Sequence, residues 1–370
     1  MNRIFPARPG RQFSFFSLLF TLVLGLGLSS CGNEAIERSL QPTPTAFGRI
    51  NMLVVIADST LWEAGASDSV AYFFEAPYII LPQPEPIFDV RYIEAEQLAA
   101  EPTWQQLRNY VVLADLSDED SPTTQMVRQD MNDAKLQQVR EEGFGTAVAN
   151  NKWATGQQLV YLIGRNRQEL LDGMSTVYPA VVQRLQERED ERIRVTTYFE
   201  GSNPRQRDTV QRIAGVRLEV PGGYDLVPIE AEDVVWLRRE VQGASMNILA
   251  TRIPYDNPEQ LSKEGLKEIR DRIGREYISS TTDGTYMKIN DTDLPLFTES
   301  TRLNGSFAIE GRGIWEIEND FLAGPFVSYL INDTTDNQLV LVDGFVYAPG
   351  RKKRDLMEEL VTVIRSAEVN

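Results

Sequence analysis

The sequence predicts two folded halves of different architecture. An α/β half over 48–192 carries a mixed sheet, and an α+β half over 193–370 carries an antiparallel sheet flanked by helices. Three observations lead there. In the first half, apolar runs alternate with helical periods, the pattern of strands covered by crossover helices. From Val216 onward the runs follow one another with turn signals between them, as antiparallel neighbours do. A chain of 370 residues with 42 % hydrophobic and 25 % charged content has room for about two domains of ordinary composition.

The elements follow in order. Ile50–Ile56 is a continuous apolar run of the kind a buried strand shows. Thr60 with Glu63 three residues on reads as a capping box that opens a helix through Phe74. Further strands are expected at Ile87–Ile93, Tyr110–Ala114, Ala147–Trp153 and Gln158–Ile163, with helices at 123–142 and 167–190. The second half reads as strands at Val216–Val220, Tyr224–Ile229, Val234–Val241 and Met246–Ile253, then a helix at 258–277. Strands at Thr285–Ile289, Leu296–Thr301, Ser306–Ile317, Gly324–Ile331 and Gln338–Tyr347 follow, and a helix at 350–367 closes the chain.

Composition excludes much chemistry. The chain has no histidine and one cysteine, which removes the Ser-His-Asp triad, histidine-ligated metals, cysteine clusters and any internal disulfide. The lone cysteine follows Arg3, Arg8 and Arg11, an apolar run from Phe13 to Leu28, and the small residues Ser29 and Ser30. That order is a signal peptide over 1–30. Leu28-Ser29-Ser30-Cys31-Gly32 resembles the lipobox of bacterial lipoproteins, which implies lipid attachment at Cys31 and an outer-membrane anchor facing the periplasm. Two or more acyl chains at about 0.8 kcal/mol per methylene hold a protein stably. Residues 31–47, polar and Pro/Thr-bearing, read as a flexible tether. The chain carries 37 Lys+Arg against 54 Asp+Glu, a net −17; without the leader's three arginines this becomes −20, which argues against nucleic acid as a partner.

Two resemblances go further. The element order over about 215–367, with a Val-Pro-Gly-Gly-Tyr hairpin first, a long helix in the middle and a helix last, resembles the sandwich of the photosystem PsbP and Mog1 type. The lipobox, Leu81–Pro86, Trp153–Gln157 and Val342–Pro349 together resemble an uncharacterised Bacteroidota lipoprotein family known only as a domain of unknown function. That family implies a compartment and supplies no catalytic residues. An internal echo, Val160–Leu171 against Val346–Met357, raises duplication of a strand-turn-helix unit, with Gly164 matching Gly350.

Three segments are candidates for a site. Asp115, Asp118 and Asp120 end a strand, where clustered carboxylates suit a hard cation; they also precede Ser121 and Pro122, a helix cap and its first residue. No glycine supplies the turn of a calcium loop, so no metal and no cofactor are assigned. Pro82, Pro84 and Pro86 make a stiff extended strip, either a docking strip for a partner or a crossover. Arg351, Lys352, Lys353 and Arg354 open a helix, where positive charge is unfavourable, and point to an anion, a partner or acids of the first half. Acid pairs such as Glu230 with Glu232 or Glu316 with Glu318 can serve a glycosidase or a solvated strand face. The reading is a lipid-anchored envelope protein that binds an envelope protein or glycan, with no catalytic residue assigned; a carboxylate-dependent glycan hydrolase is the alternative.

Overall fold

A computed structural model describes residues 43–369. The leader, Cys31 and most of the tether lie outside the described residues.

The first half is built on a five-stranded sheet in the order β2-β1-β3-β5-β4. Its strands are β1 (Met52–Ile56), β2 (Asp89–Ile93), β3 (Asn109–Asp115), β4 (Phe144–Asn150) and β5 (Gln158–Gly164). All pair in parallel except β4, which runs antiparallel to β5. Helices cover both faces, which is why β1, β3 and β5 are apolar without alternation. Helices α1 (Ser67–Phe74) and α5 (Arg167–Thr197) pack on Leu53, Val55, Val111 and Leu162. Helices α2 (Ala95–Ala100), α3 (Pro122–Asp130) and α4 (Asp133–Glu142) pack on Val54, Val112, Tyr161 and Ile163.

The second half is an eight-stranded antiparallel sheet. After α6 (Pro204–Ala214) come β6 (Val216–Arg217), β7 (Asp225–Leu226), β8 (Val234–Val241) and β9 (Ala244–Pro254), then α7 (Lys263–Tyr277). Strands β10 (Tyr286–Asn290), β11 (Phe297–Leu303), β12 (Ser306–Glu318), β13 (Ala323–Asp333) and β14 (Gln338–Tyr347) precede α8 (Arg354–Ile364). The last strand, β15 (Glu368–Val369), pairs with β6. Helix α7 covers one face of the sheet, and α6 and α8 cover the other. Helix α8 sits close because Gly344 offers no side chain: a Cβ there would meet Ile364 Cδ1 at 2.5 Å.

The fold class is as the sequence implies, with local differences. The expected capped helix from Thr60 is interrupted by a π turn at Trp62–Ala66, where Gly65 has φ +111. The expected helix at 123–142 is two helices, because Asn132 caps a second one. Strand β4 begins three residues earlier than expected, directly after the positive-φ turn at Gly143. Duplication fails on topology and on conformation. β5 is parallel to β3, whereas β14 is antiparallel to both neighbours. Gly350 is left-handed with open space around it, while Gly164 packs against Leu170.

The two halves are joined by a strap. The segment between α1 and β2 folds back on itself, with Tyr78 N–H donating to Glu85 C=O at 2.7 Å. It places Leu81, 4 % exposed, in the core of the second half. Glu85 then caps α8, accepting from the backbone N–H of Lys353 at 2.6 Å and of Arg354 at 3.2 Å. Helix α8 has no cap of its own, so this carboxylate satisfies donors that would otherwise be orphaned. Glu85→Ala is therefore expected to cost about 1–3 kcal/mol, as a lost cap with its charge-assisted bonds. Leu81→Ala is expected to cost about 2–5 kcal/mol by cavity formation. Urea denaturation of both variants against the wild-type chain measures the two effects.

Candidate functional site

The basic cluster at 351–354 meets acids of the first half. Arg354, 1 % exposed, donates to Asp89 Oδ2 at 2.9 Å, to the Pro86 carbonyl at 2.6 Å and to Asp355 at 2.8 Å. Lys352 reaches Asp89 Oδ1 at 2.8 Å, and Lys353 Nζ donates to the Arg351 carbonyl at 2.9 Å. Arg351 is exposed. Burial pushes the Asp89 carboxyl up, but the hydrogen bonds and charges of Lys352 and Arg354 outweigh it and hold the carboxyl below its ordinary value. The unfavourable charge at the helix start is thus answered within the chain.

The aspartate run leads into a helix cap that is Ser121, and none of its acids stands in the first turn of α3. Ser121 Oγ accepts from Thr124 N–H at 2.9 Å, and Pro122 is the first helical residue of α3. Asp115 turns onto Ser117, accepting from its N–H at 2.9 Å, while Asp118 and Asp120 are exposed. Among the described residues no group of three or more acids or thiols is placed to hold a metal ion. Pro86 bridges Pro77 in the strap, and Pro82 and Pro84 line a shallow groove of about 520 Å³ beside the fully exposed Phe321. Of the acid pairs, Glu316 and Glu318 both pair with Lys288, and Glu230 and Glu232 are solvated.

A concavity of about 840 Å³ lies elsewhere, between the two halves. Its first-half wall is the C-terminal part of α5, from Gln186 to Arg194, with Asn51 and the strap residues Tyr78 and Ile79. Its second-half wall is Glu358, Thr362 and Arg365 of the α8 region with Glu299, Glu310 and Arg312 of β11 and β12. The register sets Glu299 opposite Glu310, and Glu310 opposite Tyr329, on one face of the sheet.

A fixed network lines this cleft. Arg312 Nε donates to Glu310 Oε1 at 2.5 Å, Tyr329 Oη to Glu310 Oε2 at 2.5 Å, and Arg312 Nη1 to Tyr78 Oη at 3.3 Å. Asn51 spans the halves: its backbone N–H donates to Glu189 Oε2 at 3.0 Å and its amide to Glu358 Oε2 at 2.5 Å. Asn51 holds φ 58, a left-handed conformation that asparagine tolerates. Glu189, 1 % exposed, is balanced by Arg192 and by the Asn109 amide at 2.5 Å.

Two of the cleft's carboxylates, Glu310 and Glu358, are driven apart in acidity. Burial raises Glu310, but the Arg312 charge and the hydrogen bonds from Tyr329 and Arg312 prevail and hold it low. Burial pushes Glu358 up to about 8; the Asn51 hydrogen bond only partly offsets this, and the charge of Asp355 adds to it. Asp190 nearby is also raised, first by burial and then by Glu189 and Glu187. Sequence reasoning missed this constellation. Its one visible signal was Glu310-Gly311-Arg312-Gly313, charged residues alternating with glycine inside a buried strand.

Two family models match the chain. Residues 46–197 match a domain of unknown function (DUF8532), and residues 203–366 match a domain of unknown function (DUF4837). No curated protein matches. Among solved structures, the Saccharomyces cerevisiae Ran-binding protein Mog1p is similar, at 8 % identity and TM-score 0.27 over 42 % of this chain and 89 % of that one. The human StarD13 lipid transfer and protein localization domain is similar at 10 % identity and TM-score 0.21 over 44 % of this chain and 93 % of that one. At these scores neither likeness bears on activity. Both matched family models carry a description without an activity.

The raised Glu358 carboxyl links stability to pH. Its folded value of about 8 lies above the ordinary 4.5, so the stability it contributes is fully present below about 4.5 and is lost as pH rises through 8. Thermal melts of the wild-type chain between pH about 5 and about 9 should show a loss of about 1–3 kcal/mol, discounted for partial exposure. Glu358→Gln should flatten that slope.

Proposed function

We propose that the protein is a lipid-anchored cell-envelope binding module, attached through Cys31, whose ligand is held in the cleft between its halves. The observation that carries this reading is the cleft itself: about 840 Å³, lined by fixed polar side chains from both halves. The ligand class that fits is a hydroxyl-bearing glycan. Carboxylates, an arginine and tyrosine hydroxyls offer acceptors and donors for sugar hydroxyls. The cleft's carboxylates, among them Glu187, Asp190, Glu219 and Glu299, outnumber Arg194, Arg312 and Arg365, which disfavours polyanions. The residues preceding Cys31 support the envelope placement, and the Bacteroidota likeness of the motifs agrees with it.

A second reading has its own support. Two carboxylates in one cleft whose environments drive one low and one high are the arrangement that lets one stay ionised while the other donates a proton. That is the requirement of a carboxylate-dependent glycan hydrolase, and it needs no histidine.

One set of experiments separates these outcomes. Calorimetric titration of the wild-type chain with neutral and amino-sugar oligosaccharides should give saturable heat, reduced about tenfold or more in affinity by Glu299→Ala with Glu187→Ala. Chromatography of the same mixtures after prolonged incubation should return intact sugar for a binder. Cleavage that Glu358→Gln abolishes would replace the binding reading with the hydrolase. Cys31→Ala should move the protein from the membrane fraction to the soluble one, and retention on the membrane would refute the anchor.

A further inference from the structure

β4 closes one side of the first sheet, and among the described residues no strand pairs with its outer edge. The bonds from Arg165 N–H to Gly143 C=O at 2.7 Å and from Asn151 N–H to Gln157 C=O at 3.1 Å fix the phase of the β4–β5 ladder. Residues 145, 147 and 149 therefore bond inward to β5. The N–H and C=O groups of Phe144, Thr146, Val148 and Asn150 point outward, and no described residue bonds to them. Helices α4 and α5 pack against β4, and among the described residues no backbone group bonds to this edge.

Open edges are normally guarded by charge, proline or a bulge. The others here are guarded: β2 carries Asp89 and Arg91, β7 Asp225, β10 Lys288, and β11 Glu299 and Arg302. β6 carries Arg217 and β15 Glu368. β4 reads Phe-Gly-Thr-Ala-Val-Ala-Asn and carries no charge, proline or bulge, and its Val148 is 41 % exposed. In a chain of net charge −17, a neutral unguarded edge is the surface on which two copies can meet without like-charge repulsion. Charges at its two ends are paired with opposite ones: Lys152 with Asp130, and Arg165 with Glu169.

We propose that β4 pairs with β4 of a second copy of this chain, antiparallel about a twofold axis at Ala147, joining the two five-stranded sheets into one. A twofold axis normal to the edge makes the identical strands antiparallel, which suits an isologous contact. In this register Thr146 lies opposite Val148 of the partner subunit, a β-branched pair that occurs twice. Phe144 lies opposite Asn150 of the partner subunit. The outward N–H and C=O groups then all find partners, and the small Ala147 side chains meet at the axis.

Light scattering of the full chain across a concentration series should show a monomer–dimer equilibrium. Val148→Pro removes an outward N–H and leaves the β4–β5 bonds intact, so it should weaken the dimer about tenfold or more. Ala147→Cys places two thiols at a non-hydrogen-bonded pair, where a disulfide fits. It should give a covalent dimer on non-reducing electrophoresis that the wild-type chain, whose only thiol is Cys31, does not give. A chain that stays monomeric and uncrosslinked overturns the proposal. So does a dimer that survives Val148→Pro unchanged without crosslinking through Ala147→Cys. Should Val148→Pro fail to fold, the Ala147→Cys crosslink decides.

Discussion

The structure depends on one exchange across the halves, in which the strap and the first residue of β2 supply acids and the start of helix α8 supplies cations. Arg354 is fully buried, and a buried guanidinium without partners would cost far more than the helix it belongs to contributes. Asp89 and the Pro86 carbonyl, both from the other half, together with Asp355 remove that cost, while Glu85 accepts from the Arg354 backbone N–H. The same contact fixes the start of α8, which covers β13 and β14. Loss of the exchange would therefore unseat the strap, the helix and part of the second core together.

The cleft is a consequence of this arrangement. With α8 pinned at its N-terminus, its later turns run beside the C-terminal part of α5, a helix of 31 residues and about 45 Å. α8 covers the centre of the sheet but not β11 and the adjoining part of β12, so Glu299, Glu310 and Arg312 face across a gap toward α5. Asn51 bridges that gap at its base, holding a carboxylate from each half. Polar groups collect there because the concavity admits water on one side and apolar core closes the other.

How much of this was legible in the sequence differs by level. Strands β1, β3 and β5 of the first half were readable because burial on both faces makes them continuously apolar, and Gln338–Tyr347 was readable to the residue. Boundaries set by turns were less so: Gly143 starts β4 through a backbone conformation that composition does not encode uniquely. The unease of four basic residues at a helix start was visible, and so was the possibility that first-half acids answer it. Which acids do so was not, because Glu85 and Asp89 lie more than 260 positions away in sequence. The cleft was invisible for the same reason, since Tyr78, Glu310 and Glu358 are brought together only by the tertiary fold.

Within the described residues, the motifs Leu81–Pro86, Trp153–Gln157 and Val342–Pro349 are structural. Leu81 and Glu85 anchor the strap, and Gln157 ties its loop, accepting from Trp153 and Ala154 N–H and donating to the Gln105 and Leu107 carbonyls. Asp343 neutralises the buried Arg270, whose guanidinium lies 3.7 Å from the Phe326 ring centroid, and Gly344 admits α8. Each solves a local problem of burial or close approach, and none points into the cleft. Of the residues that do face it, Glu310 and Arg312 share one short charged–glycine alternation, and Tyr78 and Glu358 reach them only through contacts between halves. A chain without histidine can still shape proton affinity there, because burial and a neighbouring guanidinium act on carboxylates as strongly as any sequence motif could.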